Sequence, residues 1–193
     1  MEWPRRAPSR KSVSFQPRDG VVLVKWKVSS PGWVKLNVDG SALSNPGPSG
    51  GGGVCRNASG SFVFGFSAAY GVGSNNLAEL RAIHDGMVFC LEKGLIRVIV
   101  ESDSEVVIAA LSSPSKTPWR WQPWLARIFC LCRLGHFSFS HTLREGNGPA
   151  DALARVGSLH QQSSLHHDSI SLPSRIRGMI FLDKVAIGDF KPR

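Results

Sequence analysis

The first sustained pattern along the chain begins at Trp33. Val34, Leu36 and Val38 alternate with Lys35, Asn37 and Asp39, a period of two that predicts a strand over 33–39. The stretch 40–53 carries two prolines and six glycines and reads as a turn-rich connection, with Val54-Cys55-Arg56 the visible end of a second strand. A turn over 57–60 leads into a third strand over 61–70, rich in Phe62, Val63, Phe64 and Phe66. The period then becomes helical. Leu80, Ile83, Met87 and Leu91 recur at three and four residues, Asn75 or Asn76 can cap, and Gly94 can terminate. An unbroken apolar strand over 96–100 follows, then a short helix over 104–111 and a longer one over 121–134. A strand over 137–143 and a helix over 149–159, with Pro149 in its first turn, complete the order βββαβααβα. A meander followed by alternating units predicts an α/β sheet of mixed strand direction.

On either side of this block the texture differs. Residues 1–31 have no sustained periodicity and are expected to form a basic, disordered leader; 32–159 form one domain. Residues 160–193 start polar and end in a modest apolar segment over 176–187, so they read as an extension partly docked on that domain.

Composition narrows the class. At 193 residues and 42% hydrophobic the chain can bury one core, and no run approaches 18 apolar residues. The first 30 residues lack the apolar centre of a secretory signal, so an intracellular protein is expected, in nucleus or cytoplasm. Arg5, Arg6, Arg10 and Lys11 would suit an organelle-targeting peptide, but Glu2, Pro4 and Pro8 spoil its helix. Cys55, Cys90, Cys130 and Cys132 form no CxxC pair and are read as reduced, mostly buried thiols.

The net charge of +9 points to a polyanionic partner, yet it is unevenly spread. Residues 1–35 hold eight Lys or Arg against two acids, whereas 36–160 hold ten against nine. The domain itself is nearly neutral.

Four of its carboxylates stand where they can meet. Asp39 ends the first strand, Asp103 ends the fourth, Glu79 lies one turn into the main helix, and Asp151 lies in the first turn of the last helix. If the first and fourth strands are parallel neighbours, Asp39 and Asp103 emerge side by side at the carboxyl edge, where ligands of open α/β sheets gather. Glu79 shares a stripe with Ile83, Gly86 and Cys90, so a helix facing the sheet carries it to the same rim, and Gly86 lets that helix lie close. Crowded carboxylates need a counter-charge, and an all-oxygen set suits Mg²⁺ or Mn²⁺. Each also has an ordinary reading: Asp103 as an N-cap, Asp151 as a helix-dipole partner. Asp85 reads as a solvated partner of Arg81, and Glu101 as a minor participant.

Five ordered motifs carry a resemblance. Asp39-Gly40-Ser41 with Asn45-Pro46-Gly47-Pro48-Ser49-Gly50, then Asn76-Leu77-Ala78-Glu79-Leu80, Glu101-Ser102-Asp103-Ser104 and Ala150-Asp151-Ala152-Leu153-Ala154 resemble the type 1 ribonuclease H family. The stretch 33–40 and Arg144-Glu145-Gly146-Asn147 resemble its plant branch, found in retrotransposon reverse transcriptases and in stand-alone reverse-transcriptase-like proteins. The resemblance spans about 32–159 and implies a five-stranded mixed sheet of order 3-2-1-4-5 with flanking helices. It implies that Asp39, Glu79, Asp103 and Asp151 bind two Mg²⁺ ions, for which Mn²⁺ can substitute, and hydrolyse the RNA strand of RNA/DNA hybrids. It further implies substrate contacts from Asn45 and Asn76 near the 2′-hydroxyls, while Asn147 positions the loop before Asp151 or meets substrate.

Two features depart from the family pattern. The family places a mobile histidine in a loop before the last helix; here His141 falls in a predicted strand and the loop is short, leaving His141 and Glu145 as candidates for that role. His84 reads as structural. Where the family has a basic helix gripping the DNA strand, Lys116, Arg120, Arg127 and Arg133 interleave with Trp119, Trp121 and Trp124 without an acid, a composition equally suited to a nucleic-acid grip and to core tryptophans with a basic outer face. Lys116, Arg120 and Trp121 are the grip candidates. The expected protein is a monomeric hybrid ribonuclease with no membrane partner. The alternative is a catalytically weak or inactive nucleic-acid-binding module of retroelement origin, and a third is a protein-interaction domain using the scaffold alone.

Overall fold

The computed structural model describes residues 21–24, 26–185 and 189–192. Most of the expected leader, 1–20, therefore lies outside the described residues. The elements are β1 (Val21–Val24), β2 (Val34–Ala42), β3 (Gly47–Arg56), β4 (Phe62–Gly73), α1 (Asn75–Glu92), β5 (Arg97–Ser102), α2 (Glu105–Ser112), α3 (Gln122–Leu131), β6 (His136–His141), α4 (Gly148–His160), β7 (Ser164–His166), α5 (Ser174–Lys184) and β8 (Asp189–Pro192). A mixed sheet runs in the order β6-β5-β2-β3-β4-β7, and β1 pairs antiparallel with β8. Among the described residues, no helix is long and apolar enough to cross a membrane.

The main sheet contains the expected five strands in the expected order, with β7 added from the polar tail. Its Leu165 lies opposite Phe66 and gains cover from the core of the domain, an anchor too short to give a periodic signal. One face of the sheet, carrying Leu36, Val38, Phe64, Phe66, Val98 and Val100, packs on α1, α2 and α3 through Leu80, Ile83, Met87, Val107, Leu125 and Ile128. Gly86 lies over Leu36, where a Cβ would come within 2.8 Å of Cδ2, so its smallness sets the separation of α1 from the sheet.

The second face is covered as well. α4 crosses β3 where Gly50 and Gly52 stand; a Cβ at Gly52 would overlap the backbone of Leu153 and Ala154, and one at Gly50 the backbone at Gly157 and Ser158. This corrects the expected 40–53 connection. β2 continues to Ala42 and β3 starts at Gly47, because the glycines are strand residues made small by a helix lying against them. Beyond α4, α5 seats Ile176 and Ile180 with Leu172 against Val54 and Leu153. The polar residues of β2 are consequently buried too: Lys35, Asn37 and Asp39 have no more than 6% of their surface exposed.

Around them lies a paired set of charges. Arg56, wholly buried, donates to Asp183 of α5 (2.6 Å) and to Asn37 Oδ1 (2.8 Å), with the Trp26 ring 3.7 Å from its guanidinium carbon. Lys35 meets Glu101 at 2.6 Å, and Asn37 Nδ2 donates to the same carboxylate. Trp26, within the stretch expected to be leader, packs here and donates its indole N–H to Asn37. Cys55 and Cys90 are buried, but Cys130 is exposed, on the face of α3 away from buried Leu125 and Ile128, and Cys132 is half-buried just past the helix end at Leu131, short of the expected 134.

Candidate active site

Parallel pairing of β2 with β5 sets Asn37 opposite Glu101, so two residues further on Asp39, still within β2, stands beside Asp103, just past the end of β5. Glu79 arrives from α1, whose first turns press onto Gly40. A Cβ there would overlap the backbone of Ala78 and Glu79, so glycine admits the helix to the strand end. Ligating oxygens of Asp39, Glu79 and Asp103 all lie within 4.8 Å of one another. Asp151, in the first turn of α4, lines the same open cleft together with Ser41, Asn75, Ser104, Arg144 and Arg155. It is not one of the tight three. Its carboxylate is engaged by Arg155 Nε at 3.3 Å and Arg144 Nη2 at 3.6 Å.

The three clustered acids are costly to ionise together. Burial, then the charges of Glu79, Asp103 and Asp151, push the Asp39 carboxyl up to about 10, and a hydrogen bond with Asp103 adds to the shift. Burial and the charge of Asp103 push Glu79 up to about 8, against the opposing hydrogen bonds from Ser102 Oγ (3.1 Å) and the Gly40 N–H. The fold thus holds acids whose mutual repulsion nothing inside the cluster relieves. A divalent cation would relieve it, and a donor set of carboxylate oxygens fits a hard cation of the Mg²⁺ or Mn²⁺ kind.

Asp103 is free for this duty because Ser104, not Asp103, caps α2, accepting from Val107 N–H. Asn147 is completely buried. Its Nδ2 donates to Val38 O at 2.9 Å and Asp103 Oδ1 at 3.3 Å, and its carbonyl accepts from the amides of Ala150 and Asp151. Of the two roles considered for it, positioning is the one this burial allows; substrate cannot reach it. Glu101 turns away to Lys35 and takes no part in the cluster.

Residues 37–157 match the family described as "Reverse transcriptase-like". That span is more than half of the chain. The chain belongs to the reverse-transcriptase-like ribonuclease H family. A protein of Arabidopsis thaliana named as a ribonuclease H protein is 35% identical over 144 residues, 68% of this chain; the chain spans 22% of that relative's length. The ribonuclease H1 of the halophilic archaeon Halobacterium salinarum superposes with a TM-score of 0.63 at 26% identity, covering 67% of this chain and 99% of that one. LC11-RNase H1, solved in complex with an RNA/DNA hybrid, gives 0.62 at 27% identity over 66% and 98%.

The ribonuclease H family position frames the remaining candidates. Asn45 does not stand alone: its Oδ1 accepts from the Asn75 amide (3.3 Å), while Asn75 Oδ1 accepts from Ala42 N–H (2.7 Å). Asn75 was overlooked beside Asn76 because only the helix phase decides which of two adjacent asparagines faces the cleft. Asn76 instead lines a neighbouring hollow with Lys116 and Trp121. Trp121 is a core residue, 8% exposed, whereas Trp119 is 76% exposed with the Arg120 guanidinium 5.4 Å from its ring centre. The segment therefore mixes both readings. Trp124 sits among Arg81, Arg127 and His84. His84 also meets Asp85 at 2.8 Å; Asp85 accepts from the Tyr70 hydroxyl and so is not the solvated partner of Arg81.

His141 is the last residue of β6, paired with Ser102, and is not among the residues lining the carboxylate cleft. Glu145 lies half-buried in a short turn, Arg144–Gly146, that leads to α4. Arg144 and Arg155 were overlooked: Arg155 stands four residues after Asp151 on α4, a spacing that could have found it, whereas Arg144 reaches Asp151 through the fold of the turn before α4.

Proposed function

We propose that this chain is a metal-dependent endoribonuclease that hydrolyses the RNA strand of RNA/DNA hybrids. The observation that carries the reading is the convergence of Asp39, Glu79 and Asp103, from three elements, within 4.8 Å at the carboxyl edge of the sheet, facing Asp151 across an open cleft. Two bound Mg²⁺ ions would supply charge neutralisation and activation of the attacking water. Asp39, Glu79 and Asp103, with Asp151 in the same cleft, would hold that charge. Ser102 and the Gly40 amide fix the Glu79 carboxylate, and Asn147 fixes Asp103 relative to β2. Asn45 and Asn75 order the loop that borders the cleft and would meet the 2′-hydroxyls by which RNA differs from DNA. Lys116, Arg120 and exposed Trp119 offer a cationic and aromatic surface for the DNA strand.

A second reading, a catalytically weak nucleic-acid-binding module, draws on the engagement of Asp151 by Arg144 and Arg155 and on the absence of His141 from the cleft lining. Incubation of a labelled hybrid with Mg²⁺ or Mn²⁺ separates the two. The enzyme cuts the RNA strand, and Asp39→Asn or Asp103→Asn lowers the rate by about a thousandfold, as loss of several kcal/mol of charge stabilisation requires. Hybrid binding without cutting by the unsubstituted chain would leave only the module.

A further inference from the structure

At the opposite end of the sheet from the carboxylates, the β3–β4 turn and the C-terminal extension enclose a hollow that the hydrolytic reading does not use. Asp39 lies opposite Gly52, Arg56 is four residues further along β3, and the turn lies beyond, roughly 15 Å away along the strand. The floor is apolar: Phe62, Ile180 and Phe181. Phe181 is 63% exposed, on a helix whose inward positions, Ile176 and Ile180, already satisfy the core. Arg177 and Lys184 stand on the same wall, Lys184 reaching Ser61 Oγ at 3.2 Å and Arg177 the Ile170 carbonyl at 3.4 Å. His167, in contact with Lys93 at 3.1 Å, closes another side.

Of the nearby acids, Asp183 is held by Arg56, whereas Asp168 lines the hollow itself as a single carboxylate beside Arg177 and Lys184. Asp168 also accepts from the Ser171 amide within its own turn. The outward surface of α5 is therefore cationic around an exposed aromatic ring. Three occupants can be weighed by charge. Residues 1–20 carry five Lys or Arg against two acids and would be repelled, as would a second copy presenting the same Arg175, Arg177 and Lys184. A polyanion with planar apolar groups is attracted on both counts. In a duplex the base faces are hidden in the stack, so a single strand is the form that can lay a base on phenylalanine.

We propose that this hollow binds single-stranded nucleic acid, taking a base against Phe62 and Phe181 and the flanking phosphates on Arg177 and Lys184. It makes the C-terminal extension a second contact for the unpaired strand that continues from a hybrid, and it stands apart from the metal site. The test uses the full chain in EDTA, where no hydrolysis occurs, and fluorescence anisotropy on two labelled hybrids: one blunt, one with a single-stranded tail of about ten nucleotides. The tailed hybrid binds more tightly than the blunt one. Phe181→Ala, and separately Arg177→Gln with Lys184→Gln, removes about tenfold of that gain, and the double charge variant reduces the salt slope by about 1.4, two phosphate contacts at about 0.7 each on a single strand. Blunt-hybrid affinity stays unchanged, and circular dichroism melts match the unsubstituted chain, as expected for exposed positions. A tail that adds no affinity, or variants that weaken blunt and tailed hybrids equally, would overturn the proposal. Because binding is read without metal, the outcome is independent of whether the cleft hydrolyses anything.

Discussion

Two ends of one sheet bury charge in opposite ways. Around Arg56, each cation has an anion: Arg56 with Asp183, Lys35 with Glu101, and Asn37 bridging both pairs under the Trp26 ring. Around Asp39 the charges share a sign, and the cations at the cleft reach only Asp151. The first arrangement is complete within the chain. The second is complete only with something added, and a fold retains such an imbalance where an outside cation is part of its use.

The largest expected effect comes from breaking the balanced end. Arg56→Ala removes the cation around which Asn37, Asp183 and Trp26 are arranged, and costs about 3–5 kcal/mol in urea unfolding. The double substitution Arg56→Met with Asp183→Leu recovers most of that loss, since a buried pair replaced by apolar groups is often nearly neutral. Recovery of less than half would show that the network's hydrogen bonds, and not its charges, hold α5 in place.

Next comes the unbalanced end, where the sign reverses. Asp39 and Glu79 have folded-state pKa values raised to about 10 and about 8, above ordinary carboxylate values of 3.8 and 4.5. Between those limits the folded state binds more protons than the unfolded one, so stability is fully present at low pH and is lost as pH rises. Without metal, the melting midpoint should therefore fall between pH 5 and pH 9 (values set by those shifts), and Asp39→Asn should flatten the fall and raise the midpoint at the alkaline end. Millimolar Mg²⁺ should oppose the fall in the unsubstituted chain by binding the folded state. A midpoint that rises with pH in EDTA would contradict the described burial of this cluster.

The smallest effect tests the support of a single carboxylate. Ser102→Ala removes the hydroxyl that donates to Glu79, costing about 1 kcal/mol of stability and weakening Mg²⁺ binding by about tenfold in calorimetric titration. Unchanged metal affinity would mean that the Gly40 amide alone orients Glu79.

Much of this was legible in the residues. The alternation at Trp33 and the three-four spacing after Asn75 specify the central strand and its crossover helix; Glu79, Asp103 and Asp151 stand near element ends as read, whereas Asp39, read as the strand end, is followed by three more residues of β2. Gly50 to Gly53 misled, because a glycine run reads as a turn until α4 is seen lying on it. The burial of Lys35, Asn37 and Arg56 was not legible either: alternation separates two faces of a strand, but only the packing of α4 and α5 shows that both are covered. β7 and Trp26 gave no signal, each being a short or single-residue anchor held by residues elsewhere in the chain.

By itself, then, the sequence determined the elements, their order and which acids sit near element ends, because periodicity and capping are local properties. The tertiary structure decided which acids share one cleft, and that Asn147 is sealed inside while Asn75 faces out. Those outcomes depend on burial and on distances between residues far apart in the chain. Both exist only once the helices have closed over the sheet.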